Sequence, residues 1–154
     1  MARFGFSNGE LSMAAIEEIP DPVVAEMLEQ GALVTMKAHQ DQIRKLDLVD
    51  SAQLFKSLRA FPKVAKDGHR YTLVYPYGKR RNPKRKKLAY NRKNKKYRVV
   101  NMSNNDVGFV HEFGAPARGI PAKQWMQTAN EEAADEVVEA EFKKYDEWLS
   151  GMGY

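Results

Sequence analysis

The chain has no cysteine. This excludes disulfide scaffolding and thiolate chemistry, and is compatible with synthesis in a reducing cytoplasm. No apolar run approaches the roughly 20 residues needed to span a bilayer. Met1 to Pro20 contain a basic residue but no sustained apolar stretch, so no secretory signal is expected and the segment reads as irregular, with room for a short helix over 10–16. Histidine is scarce. His39, His69 and His111 are scattered, and Ala115 stands where a zinc-protease spacing would place a second histidine after His111-Glu112. "GKRRNPKR" lacks the second glycine and the Lys-Ser/Thr ending of a phosphate-binding loop. With no catalytic, metal or cofactor-binding residue to name, the chain is expected not to be an enzyme and to need no cofactor. A small enzyme with an unrecognised site is the weakest alternative.

Acid is missing from one stretch altogether. Lys79 to Arg98, "KRRNPKRKKLAYNRKNKKYR", holds twelve Lys or Arg in twenty residues. The whole chain carries +5, so the other 134 residues, with 13 basic and 20 acidic side chains, carry −7. An acidic domain therefore bears one basic appendage, and the high overall isoelectric point describes only that segment. Tyr90 and Tyr97 interrupt the run. Lys and Arg neutralise phosphates and tyrosines can stack on unpaired bases, so Lys79, Arg80, Arg81, Lys84, Arg85 and Lys86 are candidate contacts to DNA or to an acidic partner. Lys87, Arg92, Lys93, Lys95 and Lys96 join them. A solvated, mobile segment is the plain reading of the same charge.

At 154 residues the chain suggests a single domain over 1–154. Asp21-Pro22 reads as a helix start, with Asp21 as cap; Val23, Val24, Met27, Leu28, Val34 and Ala38 share one face, and the helix is expected to run to about Arg44. Asp50-Ser51 offers a second cap to a short helix with Leu54, Phe55 and Leu58, bounded by Pro62. The pattern then favours strands at Arg70–Pro76, Tyr97–Ser103 and Asp106–Phe113, with a turn at Ser103-Asn104-Asn105-Asp106. On this reading the basic run, 79–96, is a long hairpin tip between the first two strands. "GAPARG" is a loop, and Pro121 opens a last helix to about Ser150. Two apolar stripes run along it: Met126, Ala129, Ala133, Val137 and Ala140, and Ala134, Val138, Phe142, Tyr145 and Leu149. Either the helix sinks into its own core, or Val138 and Phe142 face that core while Ala133 and Val137 face a neighbour. Its carboxylates, Glu131, Glu132, Asp135, Glu136 and Glu139, read as the solvated face. The expected fold class is α+β, helices on a small antiparallel sheet, with no internal repeat.

"VGFVHEFGAPARGIPAKQWMQTANEEAADEV" resembles the tailed-phage tail-completion and head–tail joining family, which is related to phage virion-morphogenesis proteins. That family's pattern is a hydrophobic strand into Glu-Phe-Gly-Thr, then a Pro-rich approach to a terminal helix. Glu112, Phe113 and Gly114 match, with Ala115 in place of Thr; Pro121, Trp125, Met126 and Ala129 match the helix start, and "IPAK" is close to the related "IPAR". Upstream, "DSAQLFKSL" is similar to Thr-Gly-x-Leu-x-x-Ser at Leu54 and Ser57, with Ser51 and Ala52 replacing Thr-Gly. The resemblance spans roughly 21–149. It implies a virion structural protein of the neck or upper tail, made in the host cytoplasm. It further implies a homo-oligomeric ring, a hexamer by that likeness, between neighbouring neck and tail proteins, around a channel that passes genomic DNA, with no membrane partner. The motif residues read as structural: Gly114 leaves its element with positive φ and Pro121 pre-sets a helix. The alternative is a non-enzymatic nucleic-acid-binding accessory protein using the 79–98 arm.

Overall fold

A computed structural model describes residues 19–48, 51–81 and 85–153; the expected helix over 10–16, the cap at Asp50 and the cation Lys84 fall outside them. The described chain is α+β. Its elements are α1 (Asp21–Lys45), α2 (Ser51–Ser57), β1 (Leu58–Val64), β2 (Arg70–Pro76), β3 (Lys86–Asn91), β4 (Lys96–Asn101), α3 (Asn104–Phe113) and α4 (Trp125–Gly151), with one 3-10 turn at Pro116–Arg118. The strands form two separate antiparallel pairs, β1 with β2 and β3 with β4.

Helices α1 and α4 lie antiparallel and form the backbone of the fold. His39 Nε2 hydrogen-bonds Asn130 Oδ1 at 2.8 Å, Gln42 donates to Glu132 at 2.6 Å, and Gly31 lies directly beneath Glu141. A methyl group at Gly31 would force the Glu141 side chain to move. Burial pushes the Glu141 carboxyl above the usual carboxylate range. The buried face of α1 is Val24, Met27, Gly31, Ala32, His39 and Ile43, rotated from the expected stripe so that Val23, Leu28, Val34 and Ala38 are only half-buried. Burial holds the His39 imidazole below its usual range, so it sits in the core as a neutral hydrogen-bonding partner, edge-on to Trp125 at 5.4 Å. Ile43, Leu48, Leu54, Leu58 and Trp125 make the densest part of the core.

Several expectations are corrected. Asp21 is not the cap of α1. Pro20 holds that position, and the Asp21 carboxylate instead accepts from Arg70 at 2.5 and 3.2 Å, which ties the start of α1 to the start of β2. Leu58 does not prolong α2. Ser57 closes that helix by donating to the Leu54 carbonyl at 2.7 Å, and the next seven residues form β1. Pro62 sits inside β1 opposite Thr72, tolerated because a two-stranded sheet has only edges. The strand over 70–76 is present, but its partner is β1 rather than the segment after the basic run.

The expected strand at Asp106–Phe113 is helix α3. Ser103 and Asp106 close a capping box: Ser103 N donates to Asp106 Oδ2 at 2.8 Å and Asp106 N donates to Ser103 Oγ at 3.2 Å. Asn104, Val107, Gly108, His111 and Glu112 are then buried at helical spacing. The supposed turn is thus a helix start, and the β-forming residues Val107, Phe109 and Val110 are overruled by packing. Nor does Pro121 open the last helix. The backbone at 123–124 is engaged with the end of α3, Gln124 turns through φ 46°, and α4 begins at Trp125.

Of the two alternatives for α4, the one that set Val138 and Phe142 on the core and Ala133 toward a neighbour is reversed at those residues, although Tyr145 of the second stripe is buried. Ala129 and Ala133 are buried against α1, whereas Val138 is 50% exposed and Phe142 38%. Ala133→Lys is therefore expected to bury an unpaired charge and to destabilise by on the order of 3 kcal/mol or more. Val138→Lys should leave the melting temperature nearly unchanged. Thermal unfolding of the two variants checks this, and equal losses would contradict the assignment of the faces.

Candidate functional site

The basic run folds back on itself. β3 and β4 pair in the register Lys86↔Asn101, Leu88↔Val99, Tyr90↔Tyr97 on one face and Lys87↔Val100, Ala89↔Arg98, Asn91↔Lys96 on the other. The expected long tip is therefore a hairpin whose turn is only Arg92–Lys95. Asn91 Oδ1 accepts from Lys93 N at 3.0 Å, Asn94 Oδ1 accepts from Lys96 N at 3.3 Å, and Lys95 takes φ 51°. Side-chain carbonyls that capture the backbone two residues on are standard turn chemistry. Arg98 and Lys96 stand opposite neutral residues, which avoids the directly opposed like charges that destabilise a ladder.

The hairpin is moored only at its base. Met102 N donates to Arg85 O at 3.0 Å, Asn104 N to Gly78 O at 3.0 Å, and Lys79 bridges Ser103. Lys87 forms an ion pair with Asp106. Burial works against ionising Asp106, but the hydrogen bonds from Lys87 and Ser103 outweigh it and hold the carboxyl below its usual range. Arg81 and Gln53 exchange a pair of bonds, Arg81 N to Gln53 Oε1 at 3.1 Å and Gln53 Nε2 to Arg81 O at 3.2 Å.

The candidate cations are accordingly divided. Lys79, Arg80 and Arg81 belong to the mooring, Lys87 is committed to Asp106, and Arg85 and Lys86 lead into the strand. Arg92, Lys93, Lys95 and Lys96 gather at the exposed turn. The base also brings in two cations that sequence reasoning missed: Lys56 and Arg59 line one open cleft with Lys79 and Arg81, and among the described residues no acid lines it.

One face of the hairpin is mostly apolar, with Lys86 its one cation. Leu88 is 68% exposed, Tyr90 50%, Tyr97 70% and Val99 63%, so an apolar and aromatic ribbon faces solvent. The β1–β2 pair shows a second such face, with Tyr71, Leu73 and Tyr77 exposed and Phe61 stacked on Tyr75 at 4.6 Å.

The Glu-Phe-Gly motif is an interlock rather than a site of chemistry. Glu112 is buried, and its carboxylate accepts from the Met126 and Gln127 amides at 2.6 and 3.1 Å, capping α4 from another helix. Lys123 N and Gln124 N donate to the His111 and Glu112 carbonyls at 2.7 and 3.1 Å. Gly114 ends α3 with φ 75°, and a side chain there would meet Ala122 N at 2.7 Å and Ile120 O at 2.8 Å. The Trp125 indole donates to Gly108 O at 3.0 Å. Pro121 is exposed in the connecting loop, and Phe113 is exposed and stacked on Phe109 at 5.6 Å. The histidines lie apart on α1, the β1–β2 turn and α3. Among the described residues no group of three or more His, Cys, Asp or Glu could hold a metal ion, and no helix is long and apolar enough to cross a membrane.

No family model, curated protein or solved structure matches the chain.

Glu112→Ala strips a charged acceptor from two helix-end amides, and is expected to cost about 2 kcal/mol. That corresponds to a melting temperature roughly 4–8 °C lower. Phe113→Ala, on the surface of the same motif, should cost far less. Calorimetry on both variants checks the division, and a stable Glu112→Ala protein would contradict the capping role.

Proposed function

We propose that this chain is a structural subunit of the phage neck or upper tail, one member of a ring that joins head to tail, and not an enzyme. The observation that carries the reading is the pair of uncovered apolar β faces. A soluble monomer leaves few such faces, and their presence on two separate strand pairs suits a subunit that is covered from more than one side. The motif that resembles the tail-completion family supports it further, because Glu112, Gly114 and Trp125 hold α3 to α4 and leave Phe113 outside. The helix in place of that family's strand before Glu-Phe-Gly counts against the likeness. Such a subunit needs a firm scaffold and projecting parts, and many weak contacts then add through multivalency.

The nucleic-acid accessory reading is favoured by the tip cations and by the cleft at the hairpin base, which no acid among the described residues lines. It accounts less well for the hairpin's exposed face, half of which is aliphatic.

Deleting the gene from a tailed phage that carries it should leave heads and tails both made but not joined. Electron microscopy of the lysate reads this directly. Normal joined particles, with a defect only in replication, transcription or lysis, would reject the neck role and favour the accessory one.

A further inference from the structure

We infer that the β3–β4 hairpin of one copy docks on the outer face of α4 of the next copy; this rests on the ring reading above and names the contact that builds it. The hairpin's exposed face is Leu88, Tyr90, Tyr97 and Val99. Its surroundings are cationic: Lys86 shares the face, and Arg92, Lys93, Lys95 and Lys96 crowd one end. Leu88 and Val99 have no π-face for a base to stack on, so a protein fits this ribbon better than a nucleic-acid strand. An apolar ribbon with cations at one end selects an apolar surface bordered by acids.

The chain carries one. On α4 the face turned away from α1 presents Ala134, the half-exposed Val138 and the partly exposed Phe142, with Glu131, Asp135 and Glu139, all exposed, in a row along one side. These three acids stand four residues apart, about 6 Å per step on a helix, so they form a row roughly 12 Å long. A six-residue strand spans roughly 20 Å, enough to cover that row. The other uncovered apolar face, on β1–β2, is flanked by Arg59 and Lys63, which repel the hairpin. Charge therefore selects α4 over the alternative surface. The hairpin shares no extensive contact with its own α4. Two different, complementary patches on one chain make a head-to-tail contact, the kind that generates a ring when the rotation closes.

The test is a charge swap. One variant carries Arg92→Glu, Lys93→Glu, Lys95→Glu and Lys96→Glu. The other carries Glu131→Lys, Asp135→Lys and Glu139→Lys. Each alone should lose self-association in low-salt sedimentation at high protein concentration. Their mixture should regain it, because each negative hairpin then meets a basic helix and each basic hairpin meets an acidic helix. As a second measurement that needs no variant, zero-length carbodiimide cross-linking of mixed 14N- and 15N-labelled wild type should join hairpin lysines to Glu131, Asp135 or Glu139 in mixed-isotope pairs.

Absence of those cross-links overturns the inference, as does failure of the two variants to rescue each other. Protection of the hairpin lysines by an added oligonucleotide, with no copy-to-copy links, overturns it in favour of nucleic acid. The neck role fails on a different result, joined particles made without the gene, so the two can be lost separately.

Discussion

The fold depends on how the end of α3 is locked to the start of α4. Trp125 is fully buried among Ile43, Leu48, Leu54 and Leu58, and its indole N–H reaches the Gly108 carbonyl. A buried indole without that acceptor would be costly, so α3 must lie where Gly108 can supply it. Glu112, one turn along α3, then meets the amides at the start of α4. Gly114 has to be glycine, both for its positive φ and because backbone from 120–122 passes where a side chain would be. The rest follows: α4 is aimed along α1, and β1 and β2 pack on α1, with the exposed Asp21–Arg70 pair at the margin.

What remains outside this interlocked body is also what the proposed function uses. The hairpin contributes little to the core and is held by a few bonds at its base. Its charge is segregated from the acidic body by sequence, and its apolar face, Lys86 aside, is segregated from its cations by the two-residue alternation of the strands. The body is rigid where the family-like motif falls, and its exposed surfaces lie on elements that project from it. That division suits a part whose work is to be covered by neighbours.

The sequence made the long elements legible. Helix α1 ends within a residue of its expected end, the strand over 70–76 is in place, and the α+β class holds, because each rests on a long periodic run or a run of β-formers. The errors came where local chemistry was ambiguous. Ser103-Asn104-Asn105-Asp106 serves equally as a turn or as a capping box, and only the burial of Val107 and His111 decides for the helix. Pro121 is a good first helical residue, but the amides just after it are claimed by the end of α3, a long-range constraint that no local window contains. Of the candidate site, the cations were legible by charge alone. The Asn-x-x-Asn turn between Tyr90 and Tyr97 was readable and marks the hairpin. The convergence of Lys56 and Arg59 on its base was not, since it depends on where β1 and α2 meet.

The central claim is that a stably interlocked helical body presents a lightly moored hairpin to a neighbouring copy. Hydrogen exchange followed by mass spectrometry tests it most directly, on the dilute subunit and on the assembled form. The account predicts slow exchange along α1 and α4 in both, and fast exchange over Lys86–Asn101 in the subunit that becomes slow on assembly. Hairpin amides as protected as the core in the isolated subunit, or still unprotected in the assembly, would contradict it.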